Sequence, residues 1–379
     1  MLKILFITHY TALYGANRSL IALAEQLQER NYVVTVLTPE KGDVTKVLSG
    51  LGISCITTRF YDEYYYMRGF SRLLGFKRHI LNKYFFSSIS KLVQSLQPDI
   101  IHSNSAALHI GAQLAYQLNI PHIWHIREFG ETDYRALHNL GKANHFKWLN
   151  RAAALIAISK ALKNEVLQAA KAPVQVIYNG VMKQKEMVKI KSKQLLKNKI
   201  VFSLVGSFRP EKGHEEALEA FIELAAELPQ AELFLPGNHK VAYGAFLKTK
   251  VREAGIADRV KFPGFIKDLN EIYSKIDVLL MCSRYEAMGR VTAEAFAYHI
   301  PVIAYNGGAS AELVEHGKTG FLYQNVEELK NAMLELGRNT RLRQEMGDKA
   351  HKNAMQLFTN EQYADQVENV YRLLFAPVK

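Results

Sequence analysis

The sequence predicts an α/β protein that contains two doubly wound parallel sheets, one after the other. Short apolar runs alternate with helical patterns through residues 1–181 and again through residues 182–358, and such alternation is typical of right-handed βαβ units. A lysine-rich polar segment, residues 183–199, separates the two series. The chain of 379 residues is long enough for two domains with separate cores. We therefore expect two domains that face each other across a deep cleft.

The first half contains seven apolar runs of the kind that form buried strands. They are residues 3–8, 33–38, 53–58, 99–105, 122–128, 154–160 and 174–180. A polar loop with Gly15 follows the first run and leads into a helical pattern. Asn104, His125, Arg127 and Glu128 stand near the carboxyl ends of two later runs. Since open α/β sheets bind ligands at that edge, these polar side chains are candidate ligand contacts.

The second half repeats the alternation. Its expected strands are residues 200–207, 231–237, 261–265, 277–283, 302–305 and 319–324. We interpret residues 183–199 as the inter-domain linker, although a surface helix within one domain is an alternative. A last helical pattern, about 359–379, is expected to cross back onto the first domain, which then comprises residues 1–181 and this helix.

The composition is that of a globular protein with an uneven charge. The formal net charge is +12, and residues 1–180 hold 20 Lys and Arg against 11 Asp and Glu. A basic half suggests an anionic partner: a membrane surface, a phosphorylated lipid, an acidic glycan or nucleic acid. No apolar run approaches the ~20 residues that span a bilayer. Cys55 and Cys282 stand far apart, as expected of reduced core thiols in a cytoplasmic protein.

Residues 59–92 combine aromatic side chains with cations at an unusual density. The cations considered for membrane contact are Arg68, Arg72, Lys77, Arg78 and Lys83. A helix here could place its aromatic and aliphatic side chains in a bilayer interface, with the cations at the level of the phosphates. An ordinary core helix with a solvated basic face explains the pattern equally well, and both interpretations stay open.

Two stretches of the second half have the pattern of anion sites. GSFRPEKG, residues 206–213, follows a strand and precedes a helix, so Arg209 and Lys212 stand at a helix N-terminus, where two cations suit a diphosphate. In residues 283–301, Glu286 precedes a second predicted helix that begins at Gly289, and Glu294 lies about one turn inside it. The amides at the start of that helix provide a second anion site.

Together these motifs resemble the retaining glycosyltransferases of the GT-B type in family 4, also called glycosyl transferases group 1. The resemblance covers almost the whole chain. It is carried by the Gly15 loop, GSFRPEKGH from residue 206, FPGF with Asp268, DVLLMCSRYEAMGRVTAEA from residue 277, PVIAYNGGASAELV from residue 301 and GKTGFLY from residue 317. The family signature of two glutamates with seven residues between them is matched by Glu286 and Glu294. The fold implied is two Rossmann-like domains around a cleft.

The resemblance also implies roles for individual residues. The C-terminal domain, residues 182–358, would hold a nucleotide-diphospho-sugar, and the N-terminal domain would bind the acceptor. The catalytic group implied is His125, Glu286, Arg209 and Lys212, with Glu286 on the sugar and the two cations on the departing diphosphate. Donor contacts are implied for Gly15, Ala16, Gly206, Phe265, Met288, Gly289, Arg290, Val291 and Glu294, the last on the ribose. Acceptor contacts are expected of Asn17, Asn104 and Arg127.

The implied activity is hexosyl or N-acetylhexosaminyl transfer from a UDP-sugar to a glycan or lipid-linked acceptor in bacterial envelope polysaccharide, lipopolysaccharide or glycolipid synthesis. Such enzymes retain the anomeric configuration and use no metal or other cofactor, and an oxygen of the leaving phosphate helps to deprotonate the acceptor. We expect a cytoplasmic protein, peripheral at the inner face of the membrane, with no nucleic-acid partner. The donor sugar, the acceptor and the oligomeric state are not identified by the sequence.

Two departures from the family pattern stand out. Ser207 occupies a position where the family often has arginine, and whether Arg209 substitutes for that arginine stays open. Asn17 replaces the acidic residue usual in the Gly15 loop.

Two other functions remain open: a nucleotide-sugar epimerase of the same architecture, and a non-catalytic nucleotide-binding protein. The histidine pairs 122/125 and 102/109 lack cysteine or carboxylate partners at metal spacing, so the sequence predicts no metal site.

Overall fold

A computed structural model describes residues 1–67, 71–192 and 199–375 of the chain. The chain divides into two compact units, an N-terminal unit of residues 1–181 with 360–379 and a C-terminal unit of residues 182–359. Each unit contains a parallel sheet covered by helices and an apolar core of its own. The α/β class and the two parallel sheets predicted from the sequence are confirmed.

The N-terminal unit contains nine strands and seven helices before residue 181, within the part of the chain that the structure describes. The strands are β1 (Lys3–Ile7), β2 (Val33–Thr38), β3 (Ser54–Thr57), β4 (Tyr64–Tyr66), β5 (Ile100–Ser103), β6 (His122–Ile126), β7 (Ala136–His138), β8 (Ala154–Ala157) and β9 (Val174–Val176). The helices are α1 (Gly15–Glu29), α2 (Asp43–Gly50), α3 (Ser71–Leu96), α4 (His109–Leu118), α5 (Glu131–Tyr134), α6 (Gly141–Leu149) and α7 (Lys160–Val166).

Seven of these strands form one parallel sheet in the order β3-β2-β1-β5-β6-β8-β9. Its strands are apolar on both faces because helices cover both, and Phe6, Val36 and Ile100 are fully buried. β4 and β7 form a separate antiparallel pair with Tyr64 opposite His138. This pair was not expected from the sequence, since each strand has only three residues.

The C-terminal unit repeats the architecture. Its strands are β10 (Ile200–Ser203), β11 (Ala231–Pro236), β12 (Val260–Gly264), β13 (Val278–Met281), β14 (Val302–Tyr305) and β15 (Gly320–Tyr323). Its helices are α8 (Gln184–Met187), α9 (His214–Leu224), α10 (Ala242–Glu253), α11 (Leu269–Tyr273), α12 (Arg290–Ala297), α13 (Ser310–Leu313), α14 (Val326–Arg338) and α15 (Thr340–Leu357), with a short 3-10 helix at Pro210–Lys212. The parallel sheet has the order β12-β11-β10-β13-β14-β15.

The chain returns to the N-terminal unit through its last helix, α16 (Asn360–Leu374). Tyr363, Val367 and Val370 of this helix are buried in the same core as α1. At its rim, Arg30 Nη1 lies 2.7 Å from an oxygen of Asp365. An amphipathic helix that buries its apolar face in this way is stabilised chiefly by that packing.

Two local expectations are corrected. The strand predicted at residues 122–128 ends at Ile126, so Arg127 and Glu128 follow its end and His125 is its next-to-last residue. The segment interpreted as a linker, residues 183–199, begins with α8 inside the C-terminal unit. Residues 193–198 of that segment lie outside the described residues.

Candidate functional site

The C-terminal sheet places two predicted anion-binding loops side by side. Strand order reverses between the neighbours β10 and β13, and the crevice outside the carboxyl ends of strands at such a point is where open α/β sheets bind ligands. The loop after β10 covers residues 204–213, and the loop after β13 covers residues 282–289. Both therefore leave the sheet at this crevice.

Gly213 lets the two loops touch. Its φ is +71°, and a Cβ atom on it would lie 2.5 Å from the backbone oxygen of Cys282, the residue that directly follows β13. Both the left-handed backbone and the close approach exclude a side chain. Gly213, the last residue of the motif GSFRPEKG, thus keeps Arg209 and Lys212 of this motif close to the loop that contains Glu286.

Lys212 and Glu286 meet across these loops. Lys212 Nζ lies 2.8 Å from Glu286 Oε2, with 35% and 17% of the side chains exposed. The pair is therefore partly shielded but still reachable by a ligand. The resemblance implied separate roles for these residues, one on the diphosphate and one on the sugar, and the structure brings them within hydrogen-bond distance.

A third loop, after β14, supports the backbone of Glu286. The amide of Ala309 donates to the carbonyl of Glu286 at 2.8 Å. Gly308 has φ +52°, and a Cβ there would lie 2.9 Å from the same carbonyl oxygen. The glycine pair at 307–308 was part of the resemblance, and its physical reason is this close passage of two backbones.

The helix α12 begins beside this pair. Gly289 precedes it with φ +74°, and its first turn contains no acidic residue. The free amides at the start of a helix and its dipole favour an anion. Met288 is buried next to this turn, and the buried hydroxyl of Thr292 has no hydrogen-bond partner among the described residues. Val291 is half-buried in the same turn.

Glu294 is held from two sides. Tyr273 donates its hydroxyl to Oε2 at 2.8 Å, and Arg290 donates Nε–H to Oε1 at 2.8 Å. The carboxylate is almost completely buried and connects α11 to α12. Each carboxylate oxygen keeps a second acceptor site, so the contact with a ribose hydroxyl stays a prediction that this geometry permits.

The rim of the crevice carries exposed groups. Arg209 is exposed, and in residues 1–67, 71–192 and 199–375 no acidic side chain pairs with it. Phe265, directly after β12, exposes 72% of its surface. Gly206 lies against Gly237 of the loop after β11, where a Cβ would clash with the Gly206 oxygen. A cation and an aromatic face are thus available to a ligand at this edge.

The sequence analysis missed Arg284. It lies two residues before Glu286, with its guanidinium carbon 4.8 Å from the centre of the Tyr305 ring and Nη2 at 3.7 Å from Glu216. Only its position in the loop between β13 and α12 signals a role, since a single arginine has no recognisable spacing. It adds a third exposed cation to this crevice.

At the carboxyl ends of the strands in the N-terminal sheet, polar side chains of the unit itself fill the corresponding place. Asn17, an expected acceptor contact, is fully buried and donates to the carbonyls of Tyr10 and Ala12 at 2.9 Å each. Its Oδ1 accepts the hydroxyl of Thr8 at 2.7 Å. The Asn17 amide therefore shapes the Gly15 loop from inside. Gly15 itself is exposed at the start of α1.

Arg127 is the centre of a buried polar network. Its guanidinium donates to Asn104 Oδ1 at 2.8 Å, to Asn179 Oδ1 at 2.5 Å and to the Tyr363 hydroxyl at 2.9 Å. Asn104 in turn donates to the carbonyl of Ala16 at 3.3 Å. Two expected acceptor contacts are thus brought together. Their polar atoms are directed at each other, so contact with an acceptor stays a prediction.

His125 extends this network into the sheet. Its ring has no exposed surface, and its Nδ1 lies 3.2 Å from His102 Nε2 and 3.3 Å from Nη2 of Arg127. Burial, and next the charge of Arg127, hold the pKa of His125 well below its ordinary value. The ring is a neutral part of the interior, and its expected contact with the sugar remains untested.

Glu128, which the sequence named among the candidate ligand contacts, follows the end of β6. Ser105 donates its hydroxyl to Oε1, and the amide of Ala106 donates to the same oxygen at 2.9 Å. Burial raises the pKa of Glu128 to about 7 in spite of these hydrogen bonds. The carboxyl group therefore changes its charge near neutral pH at the edge of the N-terminal sheet.

Two family models match the chain. The model described as Glycosyltransferase Family 4 matches residues 14–185, and the model described as Glycosyl transferases group 1 matches residues 186–353. The two matches adjoin, and together they include the loops of both units described above.

Named proteins and a solved structure resemble the chain, some over most of its length and one over less than half. It is 25% identical over 297 residues to N-acetyl-alpha-D-glucosaminyl L-malate synthase of Bacillus anthracis. The matched region covers 75% of this chain and 77% of that protein. It is 30% identical over 179 residues to the lipopolysaccharide core biosynthesis mannosyltransferase LpcC of Rhizobium leguminosarum, over 45% of this chain and 51% of that one. The structure of Anabaena HepE in complex with UDP and glucose superposes with a TM-score of 0.79 at 23% identity, over 98% and 100% of the two chains.

Proposed function

The chain belongs to the glycosyl transferases group 1 family, and on that premise we propose that it moves a sugar from a UDP-sugar to a glycan or lipid-linked acceptor. The observation that carries the proposal is the ion pair of Lys212 with Glu286 at the strand-order reversal. It joins a cation suited to a diphosphate to a carboxylate suited to sugar hydroxyls. UDP and glucose in the complex of HepE support the choice of donor.

In the proposed reaction the C-terminal unit stabilises the departing diphosphate. Arg209, Lys212 and the amides at the start of α12 surround the crevice with positive charge. Preorganised donors directed at developing negative charge are often the largest single contribution to catalysis. When the donor binds, its phosphate takes over Lys212, and Glu286 is released towards the sugar hydroxyls.

The proposed stereochemical outcome is retention without a covalent intermediate. A double displacement needs a carboxylate that is free to attack the anomeric carbon. Glu294 is buried between Tyr273 and Arg290. Glu286, once Lys212 has turned to the phosphate, is assigned to the sugar hydroxyls and not to the anomeric carbon. We therefore assign deprotonation of the acceptor to an oxygen of the leaving phosphate. No metal ion is required in this scheme, because the three protein cations at the crevice supply the positive charge.

The proposed acceptor belongs to envelope polysaccharide or glycolipid synthesis, and the sugar is a hexose or N-acetylhexosamine. The name of the relative from Rhizobium leguminosarum supports the class of acceptor, and the names of this relative and of the one from Bacillus anthracis support the class of sugar. Among the described residues, no helix is long and apolar enough to cross a bilayer. We propose peripheral attachment to the cytoplasmic face of the membrane, because such acceptors are carried by lipids and α3 offers a surface for this attachment.

The surface on α3 combines apolar and basic side chains. Four apolar side chains recur at helical spacing and are exposed: Leu73 by 68%, Phe76 by 56%, Ile80 by 50% and Tyr84 by 79%. Arg72, Lys77 and Lys83 are exposed on the same helix. Such a helix lies in the plane of an anionic bilayer interface.

Two of the five cations predicted to contact the membrane differ from the rest. Arg78 forms an ion pair with Asp62 at 2.7 Å, which neutralises it. Arg68 lies outside the described residues. We therefore test the membrane proposal with Arg72, Lys77 and Lys83 changed together to Ser, and with three exposed cations of the C-terminal unit, Lys318, Arg338 and Arg341, changed to Ser as the control. Only the first variant should lose binding to anionic vesicles at moderate salt.

The activity is tested by transfer of radiolabelled sugar from a panel of UDP-sugars to extracted lipid-linked acceptors. We expect Glu286→Gln to lower the transfer rate at least about a hundredfold, since charge-assisted contacts in the transition state contribute several kcal/mol. Glu335→Gln, on the exposed face of α14, is the matched control and should leave the rate unchanged. NMR of the donor incubated alone distinguishes transfer from epimerisation. A product formed without acceptor would contradict the proposal.

A further inference from the structure

Three histidines of the N-terminal unit converge at a place that the proposed reaction does not use. His109 begins α4, His138 ends β7 and His145 lies in α6. One ring nitrogen of each lies within 4.8 Å of the corresponding atoms of the other two. His109 Nε2 lies 2.8 Å from His145 Nδ1, and the rings of His138 and His145 stack with their centres 3.6 Å apart. Within the described residues, this is the one convergence of three potential metal ligands.

We propose that this three-histidine cluster binds one zinc(II) ion, with a water molecule in the fourth coordination position. Imidazole nitrogen is a preferred ligand of zinc, and three protein ligands plus water make a common tetrahedral set. With Zn–N distances of about 2.0–2.1 Å, neighbouring ligand atoms of a tetrahedral site lie about 3.3 Å apart. The separation between His109 Nε2 and His145 Nδ1 is 2.8 Å, and all three nitrogens lie within 4.8 Å of one another. Because the rings of His138 and His145 stack nearly parallel, binding of the ion requires one of these rings to rotate about its outer torsion, which is soft in histidine.

The surroundings of the cluster suit a cation that enters from solvent. Metal binding requires neutral imidazoles, each with a lone pair to donate. His109 and His145 are buried. The buried Nδ1 of His138 has no hydrogen-bond partner among the described residues. His138 is also the half-exposed member, which gives the ion and its water a path from solvent.

The ion would have a structural consequence. It would connect α4, which follows the central strand β5, to α6 and to β7. β7 pairs with β4, and Gly75 at the start of α3 packs on the side chain of Tyr65 in β4. Zinc would thus hold the small β4–β7 sheet, and with it the base of α3, to the main sheet of the N-terminal unit. The site is independent of the proposed glycosyl transfer, since none of its ligands belongs to the donor crevice.

The experiment uses the full chain without a histidine tag. Purified protein is stripped with a chelator and titrated with Zn²⁺ by calorimetry, and with Co²⁺ followed by visible absorption, because tetrahedral Co²⁺ gives an intense band. We expect one ion per chain, a visible Co²⁺ band and a rise of Tm on addition of Zn²⁺. His138→Gln, at the half-exposed position, should weaken binding of both ions at least tenfold and abolish the Tm shift.

The control is His351→Gln in the C-terminal unit. His351 also stacks on a second histidine, His299, with ring centres 3.8 Å apart, but that pair lacks a third imidazole among the described residues. Its removal should leave metal binding unchanged. Circular dichroism confirms that each variant is folded before titration. The proposal is overturned if the stripped wild type binds neither ion at micromolar concentration, or if His138→Gln binds Zn²⁺ as tightly as the wild type.

Discussion

The two units share one architecture and use the same edge of it differently. In both, strand order reverses between two central neighbours, β1 and β5 in one unit and β10 and β13 in the other. At the reversal in the C-terminal unit, Arg209 is exposed and Lys212 and Glu286 are only partly shielded. At the reversal in the N-terminal unit, Asn17 and Arg127 are buried and bonded to neighbours within the unit.

This difference shows that the strand order produces a crevice in both units, and that the loop residues determine which side chains are exposed in it. Glycines at 213 and 308 bring bare backbones together in the C-terminal unit and leave the charged side chains at the surface of the crevice. Amide and guanidinium groups fill the corresponding place in the N-terminal unit and satisfy each other, as buried polar groups must. The first edge presents charged side chains to solvent, whereas the polar side chains of the second satisfy one another.

The largest effect is expected where the C-terminal loops touch. Gly213→Ala introduces both an unfavourable φ and a clash with Cys282, and we expect it to lower the free energy of unfolding by about 3 kcal/mol or more. Gly255→Ala is the matched control, since Gly255 has φ +69° but a Cβ atom added there would meet nothing within 4 Å. It should cost only about 1 kcal/mol. Urea denaturation followed by circular dichroism measures both, and equal costs would contradict the role assigned to the loop contact.

The second prediction tests the buried hydrogen bonds of Asn17 in the N-terminal unit. Asn17→Asp replaces two amide donors by a carboxylate that can only accept, which leaves the carbonyls of Tyr10 and Ala12 unsatisfied. We expect a loss of about 2–3 kcal/mol in the free energy of unfolding. Both tryptophans of the chain, Trp124 and Trp148, lie in this unit, so their fluorescence in urea reports it selectively. The exposed Asn164→Asp is the control; a comparable loss in it would show that the amide donors of Asn17 are dispensable.

The third prediction concerns how the stability of the N-terminal unit depends on pH. Seven histidines of the N-terminal unit have a lowered pKa: His9, His102, His109, His122, His125, His138 and His145. An unfolded histidine binds its proton near pH 6.5, whereas His122 in the folded state does so only at a pKa of about 3 because of burial. Each such histidine therefore leaves the free energy of unfolding at its full value above pH 6.5. As the pH falls from 6.5 through the pKa of the folded state, the unfolded state binds the proton first and the free energy of unfolding decreases.

At pH 5 a histidine such as His122 alone removes about 2 kcal/mol relative to pH 7. Glu128 offsets about as much as one such histidine, about 2 kcal/mol, because its raised pKa of about 7 favours the folded state in acid. We expect the urea midpoint of tryptophan fluorescence to fall clearly between pH 7 and pH 5. A midpoint that stays constant or rises on acidification would show that these histidines are not buried neutral groups.

The sequence was sufficient for features that depend on neighbours in the chain. An apolar run followed by GSFRPEKG, and another followed by SRYEAMG, placed Lys212, Glu286 and Gly289 at the ends of strands, and parallel strands bring such ends to one edge. The alternation of strands and helices was also enough for the α/β class. These signals are local, and the physics that produces them acts within a few residues.

Features that depend on long-range packing were not predictable. Arg127 donates to Tyr363, which is 236 residues away on α16. The cluster of His109, His138 and His145 comes from two helices and a three-residue strand, with no spacing that marks metal ligands. His125 lies one residue before the end of β6, as the sequence predicted, but the complete burial of its ring was not predictable.

The central claim is that the crevice between the loops after β10 and β13 binds the nucleotide diphosphate. Calorimetric titration of the intact chain with UDP tests it most directly, using Arg209→Ser and, as control, Arg341→Ser on the exposed face of α15. A charge-assisted hydrogen bond contributes about 1.5–3 kcal/mol. We therefore expect UDP to bind the wild type and the control equally, and Arg209→Ser at least about tenfold more weakly. A wild type that does not bind UDP, or an unchanged affinity in Arg209→Ser, would contradict the account.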